Sequence, residues 1–261
     1  MKKNNNIIKK YLMALCLFVM AYAMVGCHSE PHNVQKRFDK YLAEDFEPIN
    51  WENPSEKDIG KNIAKGVARD VDSLRDGTMS PMEKYGTGEM YCTYTATTGV
   101  RDAQVDMNSP VDVFEGMGNL GMKNGNKCVK FLRKNYENDV QGSVVVIKNP
   151  TDTTNIDEME RVFKDMNPGS LVRYCGHYNN GNQHRHSQTY LGQGYSENND
   201  SFVPSKRGKT VMAAGYDDLF KYLESDIKKY AKNDGSEHRP VLDSIVIVDI
   251  PKIIAYKAKQ R

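Results

Sequence analysis

Residues 171–187 read LVRYCGHYNNGNQHRHS, and this segment gives the clearest indication of how the sheet is built. At its centre lies Asn180-Gly181, the dipeptide that two-residue type I′ hairpin turns prefer. A turn at this position folds the two halves of the stretch back on each other as antiparallel strands. We therefore expect a β-hairpin over residues 171–190, and with it a sheet that is mostly antiparallel.

The predicted register of this hairpin collects four metal-ligand side chains on one face. It sets His177 opposite His184 and Cys175 opposite His186, and the side chains of a strand alternate between its faces. Directly opposed Cβ atoms lie roughly 4.5–5.5 Å apart, and from that spacing Cys and His converge on one ion at about 2.0–2.3 Å. Zinc or copper suits this ligand set. In the alternative interpretation the histidines are structural or solvated, because a one-residue slip of register separates the set.

Two of the predicted helices lie within residues 55–136. Ser55 begins a capping-box-like sequence, and an apolar stripe at helical spacing follows it, consisting of Ile59, Ile63, Val67, Val71 and Leu74. Residues 128–136 predict a second, shorter helix. Residues 99–127 between them are rich in loop-forming residues, and we expect no long element there.

Three further segments predict strands. Residues 144–147 and 245–250 are continuous apolar runs, which are typical of buried strands. Residues 86–98 are rich in Tyr, Thr and Cys and are bounded by glycines, which favours a third strand. The whole pattern predicts an α+β fold with a mostly antiparallel sheet and three to four helices. We assign it to a single domain over residues 34–261, with a helical N-terminal lead.

The N-terminus has the pattern of an export signal. Residues 1–10 contain four lysines and no acidic residue, and residues 11–24 form an almost unbroken apolar run that ends at Val25-Gly26-Cys27. This arrangement resembles the lipobox of bacterial lipoprotein precursors. The resemblance implies that residues 1–26 are a signal peptide, that Cys27 carries fatty acyl chains such as palmitate, and that residues 27–33 are the lipidated Cys and its tether.

Two alternatives to the lipobox stay open. Ala21-Tyr22-Ala23 fits the A-x-A cleavage site of an ordinary secretory signal. The apolar run could also remain uncleaved, although a membrane span needs roughly 20 apolar residues. Because several acyl chains on one residue hold a protein firmly on a membrane, a lipidated Cys27 predicts a permanent anchor in the bacterial cell envelope, on a periplasmic or outer-surface face.

The charge of the mature chain argues against a nucleic-acid partner. Removing the four lysines of residues 1–26 from the 36 basic residues leaves 32, against 34 acidic residues, so the net charge is about −2. Proteins that bind nucleic acids carry clustered positive charge instead. We therefore expect the membrane, through the lipid, and an envelope protein as partners.

Cysteine usage is compatible with one disulfide. Beyond Cys27 the mature chain contains Cys92, Cys128 and Cys175. In a compartment that permits disulfides, three cysteines predict one bridge and one free thiol, and any of the three pairings satisfies this arithmetic.

Catalytic motifs are weak or missing in the sequence. Residues 116–121 fit G-x-G-x-x-G, but the turn at residues 124–126 interrupts the helix that a dinucleotide-binding loop needs. No nucleophile elbow surrounds any Ser. We therefore predict a lipid-anchored envelope protein with a binding or assembly role. One alternative is a zinc- or copper-binding lipoprotein or metal-dependent hydrolase that uses the Cys/His hairpin, and another is a hydrolase whose residues are scattered along the chain.

Overall fold

The computed structural model describes residues 44–76, 89–122, 124–150, 161–162, 165–192, 195–198, 203–204, 210–211, 215–218 and 240–261. All of them belong to one unit that spans residues 41–261. The predicted signal peptide, Cys27 with its tether and the helical lead that begins at residue 34 lie outside the described residues.

The described helices are α1 (Glu56–Asp76), α2 (Glu89–Asp106), α3 (Asn119–Met122), α4 (Gly125–Leu132) and α5 (Ile250–Ala258). A π-helical turn, Arg133–Glu137, continues α4. None of the helices in this part of the chain is long and apolar enough to cross a membrane.

The strands form an antiparallel sheet. They are β1 (Val144–Lys148), β2 (Leu171–Tyr178), β3 (Gln183–Gly192), β4 (Tyr195–Asn198), β7 (Gly215–Asp218) and β8 (Pro240–Val248), in the order β1-β8-β2-β3-β4-β7. Two short strands, β5 (Val203–Pro204) and β6 (Thr210–Val211), pair separately. The predicted α+β class with a mostly antiparallel sheet is therefore confirmed.

Helix α1 follows the predicted apolar stripe. The hydroxyl of Ser55 accepts a hydrogen bond from the Asp58 backbone N at 3.3 Å, which satisfies one of the free amides of the first turn. Ile59, Ile63 and Val67 are completely buried. The capping signal and the 3.6-residue period agree, which is why this helix could be predicted from the sequence.

The prediction of a strand over residues 86–98 is wrong, because this segment lies largely in α2. The buried positions of α2 follow helical spacing; they are Cys92, Thr93, Ala96, Thr97, Val100 and Ala103. The helix packs against both α1 and β3. A Cβ on Gly66 would meet the Ala103 Cβ at 2.6 Å, and a Cβ on Gly99 would meet the Val67 Cα at 2.7 Å. Close packing between two helices therefore overrides the strand preference of the Tyr- and Thr-rich sequence.

The strands predicted over residues 144–147 and 245–250 are present as β1 and β8, but the second differs at both ends, since β8 begins at Pro240. Strand β8 ends at Val248, and Ile250 already belongs to α5. Asp249 caps α5 by accepting a hydrogen bond from the Lys252 backbone N at 3.0 Å, and Pro251 occupies the first turn of the helix. A proline is tolerated at that position because its missing N–H would have no partner within the helix.

The two faces of the sheet are covered differently. Helices α1, α2 and α4 pack against the face that carries Arg173 of β2 and Ser187 of β3. The opposite face carries an apolar cluster made of Ile147, Met166, Val172, Tyr174, Tyr190, Leu242, Ile245 and Ile247. The helix-covered face also borders a cleft, which is described below.

Candidate functional site

The hairpin between β2 and β3 is present, but its turn is one residue longer than predicted. The Gly181 backbone N donates to the Tyr178 carbonyl at 2.9 Å, and the Tyr178 backbone N donates to the Asn182 carbonyl at 2.7 Å. Gly181 has a φ of +83°, whereas Asn180 does not have a positive φ. A type I′ turn needs positive φ at both positions, so residues 179–181 form a three-residue loop with Gly181 in the left-handed conformation instead.

This longer loop shifts the register by one residue, and the predicted pairing is wrong. His177 pairs with Gln183, Cys175 with Arg185 and Tyr174 with His186, while the backbone of His184 lies opposite Gly176. Because side chains alternate along a strand, the shift moves one half of the predicted set to the other face.

The four predicted metal ligands are therefore not collected on one face. Cys175 lies on the helix-covered face, whereas His186 is buried on the other face and stacks on Tyr174, with ring centroids 6.1 Å apart. Within the described residues, no group of three or more His, Cys, Asp and Glu is placed to hold a metal ion. Zinc or copper binding stays a prediction, although the strand pairing on which it was based is not the one observed.

His177 has a partner that the sequence did not indicate. Its Nδ1 atom lies 3.0 Å from Oδ1 of Asp243, at a point where the register of β2 and β8 shifts. Both side chains are about half exposed. A scattered hydrolase site would need His177 or His238 beside an acid and a Ser or Cys. Among the described residues His177 makes no hydrogen bond to a Ser or Cys, and His238 lies outside them.

The predicted disulfide is not present, because no disulfide bond joins any two of Cys92, Cys128 and Cys175. Cys92 and Cys128 are buried, and Cys175 is half-buried. Burial raises the pKa of Cys128 to about 12, and the nearby positive charge of Arg173 lowers it only in part. The Cys128 thiol therefore stays protonated and behaves as a small core side chain.

A basic cleft of about 520 Å³ opens beside Cys175. Helix α4, the π-helical turn and strand β2 supply its lining, which consists of Asn126, Val129, Lys130, Arg133, Lys134, Glu137, Asn138, Arg173 and Cys175. Four of these side chains are basic and one is acidic. Its volume lies within the range of about 300–1,000 Å³ that is typical of small-molecule sites.

Arg173 forms the inner wall of this basic cleft and is only 1% exposed. Its Nη1 atom donates to the Ser187 hydroxyl at 2.9 Å, and its Nη2 atom donates to Oδ1 of Asn126 at 3.3 Å. The guanidinium lies against Gly125, where a Cβ would meet its central carbon at 2.5 Å. Any larger residue at position 125 would require the guanidinium of Arg173 to shift.

A second arginine approaches the same amide from β3. Arg185 lies opposite Cys175, and in the other orientation of the Asn126 amide its oxygen accepts from Arg185 Nη2 at 3.0 Å. Asn126 therefore lies between two guanidinium groups and can accept a hydrogen bond from either. Such crowding of positive charge around one neutral amide raises the local potential at the inner end of the cleft.

The rim of the basic cleft is provided by Lys130, Arg133 and Lys134, which are exposed and follow helical spacing. Arg133 forms a bidentate pair with Glu137, with Nε to Oε2 at 2.9 Å and Nη2 to Oε1 at 3.1 Å. The hydrogen bonding in which Arg133 donates to the Glu137 carboxylate raises the pKa of Arg133. Short π-helical segments such as this one are often found at functional sites.

Sequence reasoning missed this cleft, although two signals for it are present. Arg173 is a charged residue in an otherwise buried strand, and such residues are rarely fully buried without a polar environment. Lys130, Arg133 and Lys134 lie on one side of the predicted short helix. The packing of α4 near β2 brings these basic residues together with Arg173, and no local sequence pattern reveals that packing.

No protein-family model, no curated protein and no solved structure matches this chain. The features of the chain that bear on its function are the cleft and the N-terminal sequence.

Proposed function

We propose that this chain is a lipid-anchored protein of the bacterial cell envelope that acts by binding an anionic small molecule in its basic cleft. The observation that carries the proposal is Arg173, a cation that is 1% exposed in the wall of a cleft whose rim is also basic. A buried charge is costly, and folds keep it where it is hydrogen-bonded and where it serves a site.

The electrostatics favour an anion over a neutral ligand. Besides Arg173, the rim residues Lys130, Arg133 and Lys134 contribute positive charge, and Glu137 is the single acidic side chain in the lining. The low-dielectric walls of a cleft strengthen such interactions relative to bulk water. The mature chain as a whole is slightly acidic, so the positive charge of the cleft is a local feature and not a consequence of composition.

The proposed anchor is Cys27, and the first described residues after the tether are fixed to α1. The Asn62 side chain donates to the Glu47 carbonyl at 2.7 Å and accepts from the Glu47 backbone N at 2.9 Å. The buried Lys65 donates to the Asp45 carbonyl at 2.7 Å. A domain joined to the membrane in this way keeps its cleft at the envelope surface, where an envelope protein can be a further partner.

Ligand binding is tested by titrating citrate and inorganic phosphate, at constant ionic strength, into the full-chain protein as cells process it, in a neutral detergent. We expect binding that is weakened about tenfold or more in Lys130→Gln/Lys134→Gln. The matched control Lys57→Gln/Lys259→Gln removes two exposed lysines outside the cleft lining. If neither anion binds, or if the control weakens binding equally, the proposed site is wrong.

Anchoring is tested separately with Cys27→Ser. We expect the unchanged chain to stay in the membrane fraction and to incorporate a labelled fatty acid, and the variant to lose the label. Incorporation of label into Cys27→Ser would show that the acyl chain is attached elsewhere or that the lipobox assignment is wrong.

A further inference from the structure

The rim of the basic cleft includes one acidic side chain, Glu137. Glu137 holds Arg133 through two hydrogen bonds of 2.9 and 3.1 Å, and both side chains line the cleft. The Arg133 side chain is 43% exposed and that of Glu137 is 36% exposed, so both groups are accessible to a ligand. The guanidinium already has the bidentate geometry with which arginine binds carboxylates and phosphates.

An incoming anion must compete with this resident carboxylate. Glu137 lies four residues from Arg133 on the same π-helical turn, so its effective concentration is high. A ligand that brings a single carboxylate would replace one such group by another and gain little. A ligand with more charge and more acceptor oxygens gains interactions with the neighbouring Lys130 and Lys134 as well.

A phosphate monoester meets this requirement. It carries about −1.5 to −2 charges at neutral pH and presents three acceptor oxygens. The four basic side chains of the lining exceed the one acidic side chain by enough to balance such a dianion. Val129 and Cys175 leave part of the cleft without charge, where the rest of a small organic molecule can lie.

We infer that the basic cleft binds the phosphate group of a phosphate monoester, and that Arg133 releases Glu137 to bind it. Glu137 then acts as an internal competitor that sets the affinity of the site. This inference rests on the proposed binding of anions in the cleft, and it adds the ligand class and the residue that regulates it.

The test compares sn-glycerol 3-phosphate, citrate and acetate by calorimetric titration into the full-chain protein at constant ionic strength. We expect glycerol 3-phosphate to bind more tightly than citrate, because the phosphate concentrates its charge and its three acceptor oxygens in one group whereas the three carboxylates of citrate are spread over the molecule. Acetate, with one carboxylate, should bind weakest. Glu137→Gln should tighten glycerol 3-phosphate binding by about two- to fivefold, because it removes the competitor at an exposed ion pair. Arg133→Gln should weaken binding by about tenfold or more.

Asp106→Asn is the matched control for Glu137→Gln. It neutralises the carboxylate of another exposed pair, Arg69 Nη1 to Asp106 Oδ2 at 3.6 Å, which lies outside the cleft lining. It changes the net charge by the same amount and should leave the affinity for glycerol 3-phosphate unchanged. An equal effect of the two variants would attribute the change to overall charge and would overturn the inference.

The outcomes separate this inference from the proposed function. If citrate binds as tightly as glycerol 3-phosphate and Glu137→Gln changes neither affinity, the cleft binds anions but the assigned class and competitor are wrong. If none of the anions binds, the proposed function itself is wrong, and the inference about phosphate monoesters is wrong with it.

The phosphate could belong to a free metabolite or to a lipid headgroup. A short-chain phosphatidate carries the same phosphate monoester on a lipid, so its affinity is compared with that of glycerol 3-phosphate. Either order of affinity supports the inference when Arg133→Gln weakens both, and the order identifies the source. Failure of Arg133→Gln to weaken either ligand would overturn it.

Discussion

Arg173 and Ser187 face each other across the β2–β3 pair, and Arg173 Nη1 donates a hydrogen bond to the Ser187 hydroxyl over 2.9 Å. The same hydroxyl lies 3.0 Å from Oγ1 of Thr93 on α2. All three side chains are buried. This chain of polar contacts joins the sheet to the helical layer and holds the buried arginine in the wall of the basic cleft.

We expect Ser187→Ala to lower the free energy of unfolding by about 1–3 kcal/mol, because it removes the partner of a buried charged donor. Urea unfolding measures the change. Thr93→Val and the double variant complete a double-mutant cycle. The sum of the losses in unfolding free energy of the two single variants should exceed the loss of the double variant. Strictly additive losses would show that Thr93 and Ser187 do not interact.

The crossing of α1 and α2 depends on Gly66. A Cβ there would meet the Ala103 Cβ at 2.6 Å and the Gly99 carbonyl oxygen at 2.8 Å, so the helices must move apart in Gly66→Ala. Helix propensity alone would favour Ala by about 1 kcal/mol. We nevertheless expect a net loss of roughly 1 kcal/mol or more, since overpacking costs about 1–3 kcal/mol.

Thermal and urea unfolding of Gly66→Ala test this expectation. Gly118→Ala is the matched control, because a Cβ on Gly118 has no neighbouring atom within 4 Å. It should stay within about 0.5 kcal/mol of the original protein. A stabilised Gly66→Ala would mean that the helices separate at little cost.

Asp249, the cap of α5, should make stability depend on pH. Burial raises its pKa above the ordinary value of 3.8, Glu56 raises it further, and hydrogen bonds from the Lys252 backbone N and Asn167 lower it in part. Because the folded-state pKa is the higher one, this carboxyl contributes stability that is fully present below about pH 3.8. That stability is lost as the pH rises through the folded-state pKa.

Asp249→Asn keeps a capping oxygen but cannot ionise. We expect the free energy of unfolding of this variant, relative to the original protein, to increase as the pH rises from about 3.5 to 7. Urea unfolding over a pH series measures it. Asp249→Ala, which removes the cap, should lose about 0.5–2 kcal/mol and thereby separates capping from ionisation. A difference between Asp249→Asn and the original protein that is independent of pH would contradict the assignment.

The described thiols should differ in reactivity. Cys175 is half-buried at the basic cleft, whereas Cys92 and Cys128 are buried, and the pKa of Cys128 is raised to about 12 by burial. The thiolate is the reactive form. We expect a neutral maleimide to label Cys175 in the folded protein, and to label Cys92 and Cys128 only after unfolding.

Mass spectrometry of quenched samples locates the label. Cys175→Ser should abolish labelling of these three positions in the folded state, and sn-glycerol 3-phosphate should slow the labelling of Cys175 if it fills the cleft. Labelling of Cys128 at the rate of Cys175 would show that the region around Arg173 opens far more readily than its burial indicates.

Elements whose signals are local can be predicted from the amino-acid sequence alone. The stripe from Ile59 to Val67 and the cap at Ser55 define α1, and the apolar runs at residues 144–147 and 245–250 define strands β1 and β8. The turn at Asn180-Gly181 determined that a hairpin exists. These signals arise between residues a few positions apart, so they can be read without knowing what packs against them.

The register of the hairpin, the helical conformation of α2 and the basic cleft depend on tertiary packing, so they could not be predicted from the sequence. One extra loop residue separates Cys175 from His186, because a strand alternates with a period of two. Helix α2 packs closely against α1 at Gly66, and this packing favours a helix in spite of the Tyr- and Thr-rich sequence of α2. The basic cleft joins Lys130 to Arg173, which are far apart in the chain, and contacts at that separation depend on how whole elements pack together.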